Sequence, residues 1–120
     1  MKTTLALVAL TTFALATFAP ATAKPAHAKT ARCKIASADG RYTGPCTFTP
    51  TGKGSFSVTV PARRRLVGRT TMINVYMVGP GQAEVSGLTT DGINSRWGAA
   101  ARSRTDRACW VGQDFSICVT

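Results

Sequence analysis

Acidic residues are scarce: five Asp and Glu stand against fifteen Lys and Arg in 120 residues, a formal net charge of +10 at pH 7. Histidine is scarcer still, with His27 as its single example. From Cys33 onward there is no imidazole, so the common general base and the Ser-His and Cys-His nucleophile pairs are excluded. The four cysteines contain no CxxC spacing, which argues against a zinc site, and no metal or cofactor is expected. Of the acids, Asp39 and Asp91 precede glycines in turn-forming dipeptides. Glu84 and Asp114 would serve as a glycosidase pair only with their carboxyls roughly 5 to 9.5 Å apart, and nothing in the sequence sets that distance. The stretch "TGKGS", residues 51–55, lacks the full phosphate-loop pattern and precedes a strand rather than a helix, so it reads as a turn. An enzymatic role is therefore not expected.

Only one long apolar run is present. Lys2 precedes an uncharged stretch from Thr3 to Ala19, followed by small-residue triplets ending at Ala23 and Ala28, the order of a secretory signal peptide. The run is shorter than the roughly 20 residues that a spanning helix needs. The expected organisation is a signal peptide over 1–23 (with cleavage after Ala28 as the alternative), a flexible leader over 24–32, and a single β domain over 33–120. The mature chain is expected to be periplasmic or secreted and not transmembrane. A domain this small buries a modest share of its surface, so it gains from covalent staples.

The staples are at hand. Cys33, Cys46, Cys109 and Cys118 all lie in the mature part, and an even count in a small exported chain reads as two disulfides. Asp39-Gly40 is a favoured two-residue hairpin turn. Folding the chain there sets Ala38 against Arg41 and Cys33 directly opposite Cys46. That pair is a non-hydrogen-bonded one, where Cα atoms approach to about 4.5 Å. A turn centred on Gln113-Asp114 likewise sets Cys109 opposite Cys118. Local pairing, Cys33 with Cys46 and Cys109 with Cys118, is the expectation. Pro45 cannot donate to a ladder and points to an edge strand.

Between the cysteines the chain alternates in strand period. "SFSVTVP" places Phe56, Val58 and Val60 on one face and Ser55, Ser57 and Thr59 on the other, a half-buried strand. "TTMINVYMV", residues 70–78, is apolar on both faces except at Asn74, which suits a central strand. Gly79-Pro80-Gly81 and Asp91-Gly92 mark turns. "WGAAARSRTDR" reads as strand or loop. Trp110, Phe115 and Ile117 share a face that closes the core. The fold class is all-β: a small, disulfide-stapled antiparallel sandwich or barrel of about six to eight short strands.

The positive charge falls in two groups. Removing residues 1–23 takes away a single charge, Lys2, and leaves +9. Arg63, Arg64, Arg65 and Arg69 form one group; Arg96, Arg102, Arg104 and Arg107 form the other, around Trp97. Guanidinium groups bind phosphate and carboxylate through forked hydrogen bonds and stack on rings, so these nine residues are the candidate binding set. The competing reading is that "ARRRLVG" is a solvated turn and the second group surface decoration. Trp97 is read as a core residue in preference to an exposed stacking platform.

"GPCTFTPTGKGSFSV" and "NSRWGAAARSRTDRACWVGQDFSICV" together resemble a group of small exported bacterial proteins of proteobacterial type, with two cysteine pairs and a closing "ACW...IC" segment. The likeness spans most of Cys33 to Val119. It implies export and disulfide bonding and carries no particular activity.

The function expected is an exported cationic module docking through its arginines on an anionic envelope polymer or lipid surface. Export argues against nucleic acid as the physiological ligand. The alternative is an inhibitor of a periplasmic hydrolase, since the stapled β scaffold is similar in outline to bacterial lysozyme inhibitors. Charge separates the two, because a basic inhibitor loses electrostatic steering toward an equally basic enzyme.

Overall fold

A computed structural model describes residues 27–61 and 64–120, together with positions 9, 11, 12 and 14. Those four positions apart, the expected signal segment and the Ala23 cleavage position lie outside the described residues. Eight strands follow in chain order: β1 Lys29–Ser37, β2 Gly40–Gly52, β3 Ser55–Thr59, β4 Thr70–Gly79, β5 Gln82–Thr89, β6 Asn94–Arg102, β7 Cys109–Gly112 and β8 Ser116–Val119. Each pairs antiparallel with the next, and β1 pairs with β8 to close an up-and-down barrel. Of the two all-β forms expected, sandwich or barrel, the closed barrel is the one observed. The leader ends earlier than expected, because Lys29 to Arg32 already pair with Phe48 to Pro45 as the start of β1.

The barrel interior follows the two-residue period of its strands. Cys33 and Ile35, Cys46, Phe56 and Val58, Ile73 and Val75, Ala83 and Val85, Ala100, Trp110 and Ile117 all turn into one core. Trp110 and Ile117 face one another across the last hairpin, and Phe115 folds in beside them. The ring of Phe115 occupies the space in which a side chain at Gly112 would stand. The Gly112 N–H donates to the Phe115 carbonyl at 2.8 Å, which closes the turn at Gln113-Asp114.

Both disulfides join local pairs, Cys33 to Cys46 and Cys109 to Cys118. Cys109 and Cys118 stand directly opposite one another. Cys33 and Cys46 do not: the two-residue turn is Ala38-Asp39, Ser37 faces Gly40, and Cys33 faces Gly44 while Cys46 faces Ala31. Gly40 serves as the residue after the turn, at φ 140°, a conformation open to glycine at little cost. This register differs from the expected one by two positions, which leaves every side chain on its expected face. The bridge therefore forms diagonally, over a Cα separation of 5.8 Å.

Three strand-level expectations need correction. Pro45 is not on an edge strand, since β2 lies between β1 and β3. The pairing with β3 extends only from Thr47 to Gly52, so at Pro45 the strand has a ladder partner on the β1 side alone. The polar face of β3 is covered rather than exposed: Ser55 and Ser57 are buried between longer neighbours. Their hydroxyls are satisfied, Ser57 donating to Asn74 Oδ1 at 2.6 Å and Ser55 accepting from the Met77 N–H at 2.8 Å. On β4 the reverse holds, and Tyr76 and Val78 stand exposed on the outer wall. A closed barrel gives every strand two neighbours and buries its inner face; the outer face is covered only locally, as at Ser55 and Ser57.

Two predictions follow from this packing. Cys33–Cys46 lies in the core, whereas the Cys109–Cys118 bridge is half-buried, on the opposite face of its strands from Trp110 and Ile117. Reagent access governs thiol exchange, so one equivalent of a phosphine reductant opens Cys109–Cys118 first, as read by alkylation and peptide mass. Opening of Cys33–Cys46 first would contradict the closed core. Gly112→Ala forces the Phe115 ring aside and lowers unfolding free energy by about 1–3 kcal/mol, the usual cost of overpacking, measurable by urea denaturation.

Candidate functional site

Antiparallel strands alternate their connections between the two barrel ends, and the ends are unlike. At one end lie the Ala38-Asp39 turn, the segment 60–69, the 90–93 connection and the Gln113-Asp114 turn. Within its described residues, 60, 61 and 64–69, the β3–β4 connection turns Val60, Leu66 and Val67 inward, each buried, and these plug that end. It is held by the Leu66 N–H donating to the Thr70 carbonyl and the Thr70 N–H to that of Val67. "ARRRLVG" is thus more than a solvated turn: its apolar half is a lid, with Arg64 and Arg65 exposed beside it. Three of the five acids, Asp39, Asp91 and Asp114, stand at this end.

The other end carries the Lys53-Gly54 and Pro80-Gly81 turns and the 103–108 loop. Lys53 and Gly54 have φ values of 53° and 84°, the two left-handed residues of a type I′ turn. Both turns are too short to fold over the opening. The 103–108 loop binds itself instead: Ser103 Oγ accepts from the Thr105 and Asp106 N–H groups, and Asp106 Oδ1 accepts from that of Ala108. What remains is a mouth of about 730 Å³, lined by Phe48, Phe56, Met77, Trp110 and Val119 and rimmed by Lys53, Arg102 and Arg107. The described lining contains no carboxylate.

Two cations at this end, one of them on the rim, are set on aromatic rings. The Arg102 guanidinium lies 5.5 Å from the Trp110 ring centre, and its Nε donates to the Arg107 carbonyl at 2.9 Å. Lys29 Nζ lies 5.9 Å from the centre of Phe48. Such contacts are worth about 0.5–1 kcal/mol each at exposed sites, enough to bias orientation. The Arg102 Nη groups take no part in the bond to the Arg107 carbonyl.

The nine residues expected to bind are thus divided by the fold. Arg63 lies outside the described residues. Arg69 is paired with Asp91 at 2.6 Å, and Arg96 with Glu84 across β5 and β6. The Glu84 carboxylate, by its hydrogen bond and then by its charge, raises the Arg96 guanidinium further above its ordinary range. Both arginines spend their charge on an intramolecular partner. Arg64 and Arg65 sit at the plugged end, and Arg102, Arg104 and Arg107 at the open one. The two sequence groups are therefore not one surface.

Trp97 packs against the core rather than standing out as a platform. A bulge between Val85 and Ser86 sets Val85 against Gly98 and Ser86 against Arg96, leaving Trp97 as the extra residue. Gly98 takes φ 117° there, a conformation that glycine adopts readily. The inserted residue sends Arg96 outward and brings the indole over Gly87, where an added Cβ would stand 2.9 Å from Trp97 Nε1. The indole meets the Phe115 ring edge-on at 5.5 Å.

Sequence reasoning did not assemble the mouth. Lys29 stood outside both arginine groups and Lys53 read as part of a turn; Phe56 and Trp110 read as core-facing, and Phe48 and Met77 gave no sign of a shared opening. The usable signal was the alternation that turns Phe48 and Phe56 to one face, paired across β2 and β3 through Val58 and Pro50. No family model, curated protein or solved structure matches the chain.

Trp97 supplies a prediction that separates core from site. Trp97→Ala lowers unfolding free energy by about 2–4 kcal/mol, toward the lower part of the range for aromatic truncation because the residue is half-buried. Urea denaturation reads this cost. The folded variant keeps whatever affinity the opposite, open end has for anionic surfaces.

Proposed function

We propose that this protein is an exported, cationic binding module that docks on an anionic component of the cell envelope, and that the open end of the barrel is the docking end. The observation that carries this reading is the separation of charge. Lys29, Lys53, Arg102, Arg104 and Arg107 gather at the open end beside a single side-chain carboxylate, Asp106, while at the plugged end Asp39, Asp91 and Asp114 offset Arg41, Arg64, Arg65 and Arg69. A field arranged in this way orients the molecule on an anionic surface and speeds encounter with it. The two disulfides fit an oxidising compartment outside the cytoplasm, periplasmic or secreted.

The arginine content suits this work. Guanidinium forks bind phosphate and carboxylate in two parallel hydrogen bonds, which lysine does not do. Among the described residues, neither Arg102, Arg104 nor Arg107 forms an ion pair.

The test is co-sedimentation of the oxidised protein with bacterial envelope and with vesicles rich in phosphatidylglycerol, across a salt series. Each cation near an anionic surface contributes about 1 kcal/mol. Replacing Lys53, Arg102 and Arg107 together by Ala therefore weakens binding roughly 100-fold, whereas replacing Arg64 and Arg65 has little effect. Binding at low salt fades as the salt is raised, because contacts between exposed charges are screened within about 10 Å at 0.1 M salt. Binding that survives the triple substitution and high salt would overturn this reading and direct attention to a protein partner.

A further inference from the structure

The open mouth has a second property that surface docking does not use. Its floor is apolar. Phe48, Met77 and Val119 are only partly buried against the core, and with Phe56 and Trp110 they line a space of about 730 Å³. That size lies within the roughly 300–1,000 Å³ of small-molecule sites, which are likewise mostly apolar with a few placed polar groups. An eight-stranded barrel either fills its interior with side chains or holds one small ligand. Here one end is filled by Leu66 and Val67 and the other is not.

The chemistry of the lining narrows the ligand. Donors are present at the rim as Lys53, Arg102 and Arg107, with no carboxylate among the described lining residues, so the polar part of a ligand must be an anion. The apolar floor must meet an apolar part. Phe56 and Trp110 are each 6% exposed, so neither ring presents a free face on which a base would stack. The strands close on themselves and offer no edge for an extended peptide to join.

We infer that the barrel mouth binds one anionic amphiphile, an apolar chain seated on the partly exposed Phe48, Met77 and Val119 with its phosphate or carboxylate held by Arg102, Arg107 and Lys53. This rests on the reading of the open end as an anion-docking surface and adds the chain-binding cavity to it. Arg102 is the central group: its stacking on Trp110 and its bond to the Arg107 carbonyl set the fork at the boundary between rim and floor. Burial of the chain then adds about 0.8 kcal/mol per CH₂ group removed from water.

Gly79 offers a variant that tests the cavity without touching its charge. It lines the mouth, and a Cβ built on it meets no atom within 4 Å, so Gly79→Phe fills the space while leaving the rim intact. Circular dichroism and the urea midpoint check that the variant is folded. Isothermal titration calorimetry uses monomeric dodecyl phosphate, with inorganic phosphate and neutral dodecyl maltoside as controls. One molecule of dodecyl phosphate binds per protein, at least tenfold more tightly than either control, and Gly79→Phe and Arg102→Gln each weaken it at least tenfold.

Equal affinity for inorganic phosphate overturns the cavity, and equal affinity for dodecyl maltoside overturns the anionic headgroup. In either case salt-sensitive binding to phosphatidylglycerol vesicles still stands, which keeps the docking reading separate. Gly79→Phe that lowers dodecyl phosphate binding alone supports a free amphiphile as the source. If it lowers vesicle binding as well, the chain comes from a bilayer lipid and the cavity is again supported.

Discussion

The fold depends on one seam, the pairing of β1 with β8. Every other strand contact joins neighbours in sequence; this one brings residues near Cys33 to residues near Val119. Arg32 and Thr120 exchange backbone hydrogen bonds at 2.8 and 2.9 Å at its end, and Ile35 faces Ile117 within it. Closing the sheet removes its edges and creates an inside and an outside. The two disulfides flank the seam, one stapling β1 to β2 and the other β7 to β8. Each holds a terminal hairpin in shape, so the long-range pairing joins two strands whose local partners are already fixed. Loops of this size, with cysteine separations of 13 and 9 residues, make each staple worth about 2–4 kcal/mol through the unfolded chain.

Once the barrel is closed, the lengths of its connections decide what its ends can do. The long segment 60–69 has residues to spare and folds Leu66 and Val67 into one end. At the other end, Lys53-Gly54 and Pro80-Gly81 are minimal turns with little side-chain bulk, and the 103–108 loop satisfies its own polar groups at the rim. The core therefore stops short of that opening. Charge follows the same division, since the turn acids Asp39, Asp91 and Asp114 offset the arginines of the plugged end, and the two cations set on aromatic rings, Lys29 and Arg102, fall at the open one. An asymmetric cup with a basic rim is the result.

Much of the fold was legible before the structure. The Asp-Gly turn, the alternating strands and the even cysteine count pointed to local hairpins and a stapled β domain, because these signals act over a few residues. The hairpin register at Ser37–Gly40 was off by two, yet the disulfide survived because a two-residue shift preserves faces. The site was less legible. Grouping arginines by their nearness in sequence joined Arg96 to Arg102, which a bulge and an ion pair separate, and counted Arg69 as a free cation although Asp91 pairs with it.

The sequence by itself determined the elements: strand period, the turn regions to within a residue, the cysteine partners within each hairpin, and a strong positive charge. These depend on backbone preferences and contacts a few residues apart. Which end of the barrel is plugged, which arginines keep their charge unspent, and the meeting of Lys53, Phe48 and Met77 with Trp110 and Arg102 were decided only by tertiary structure. These features depend on closure, which pairs Arg32 with Thr120 across nearly the whole domain, and no local pattern records which ends will meet.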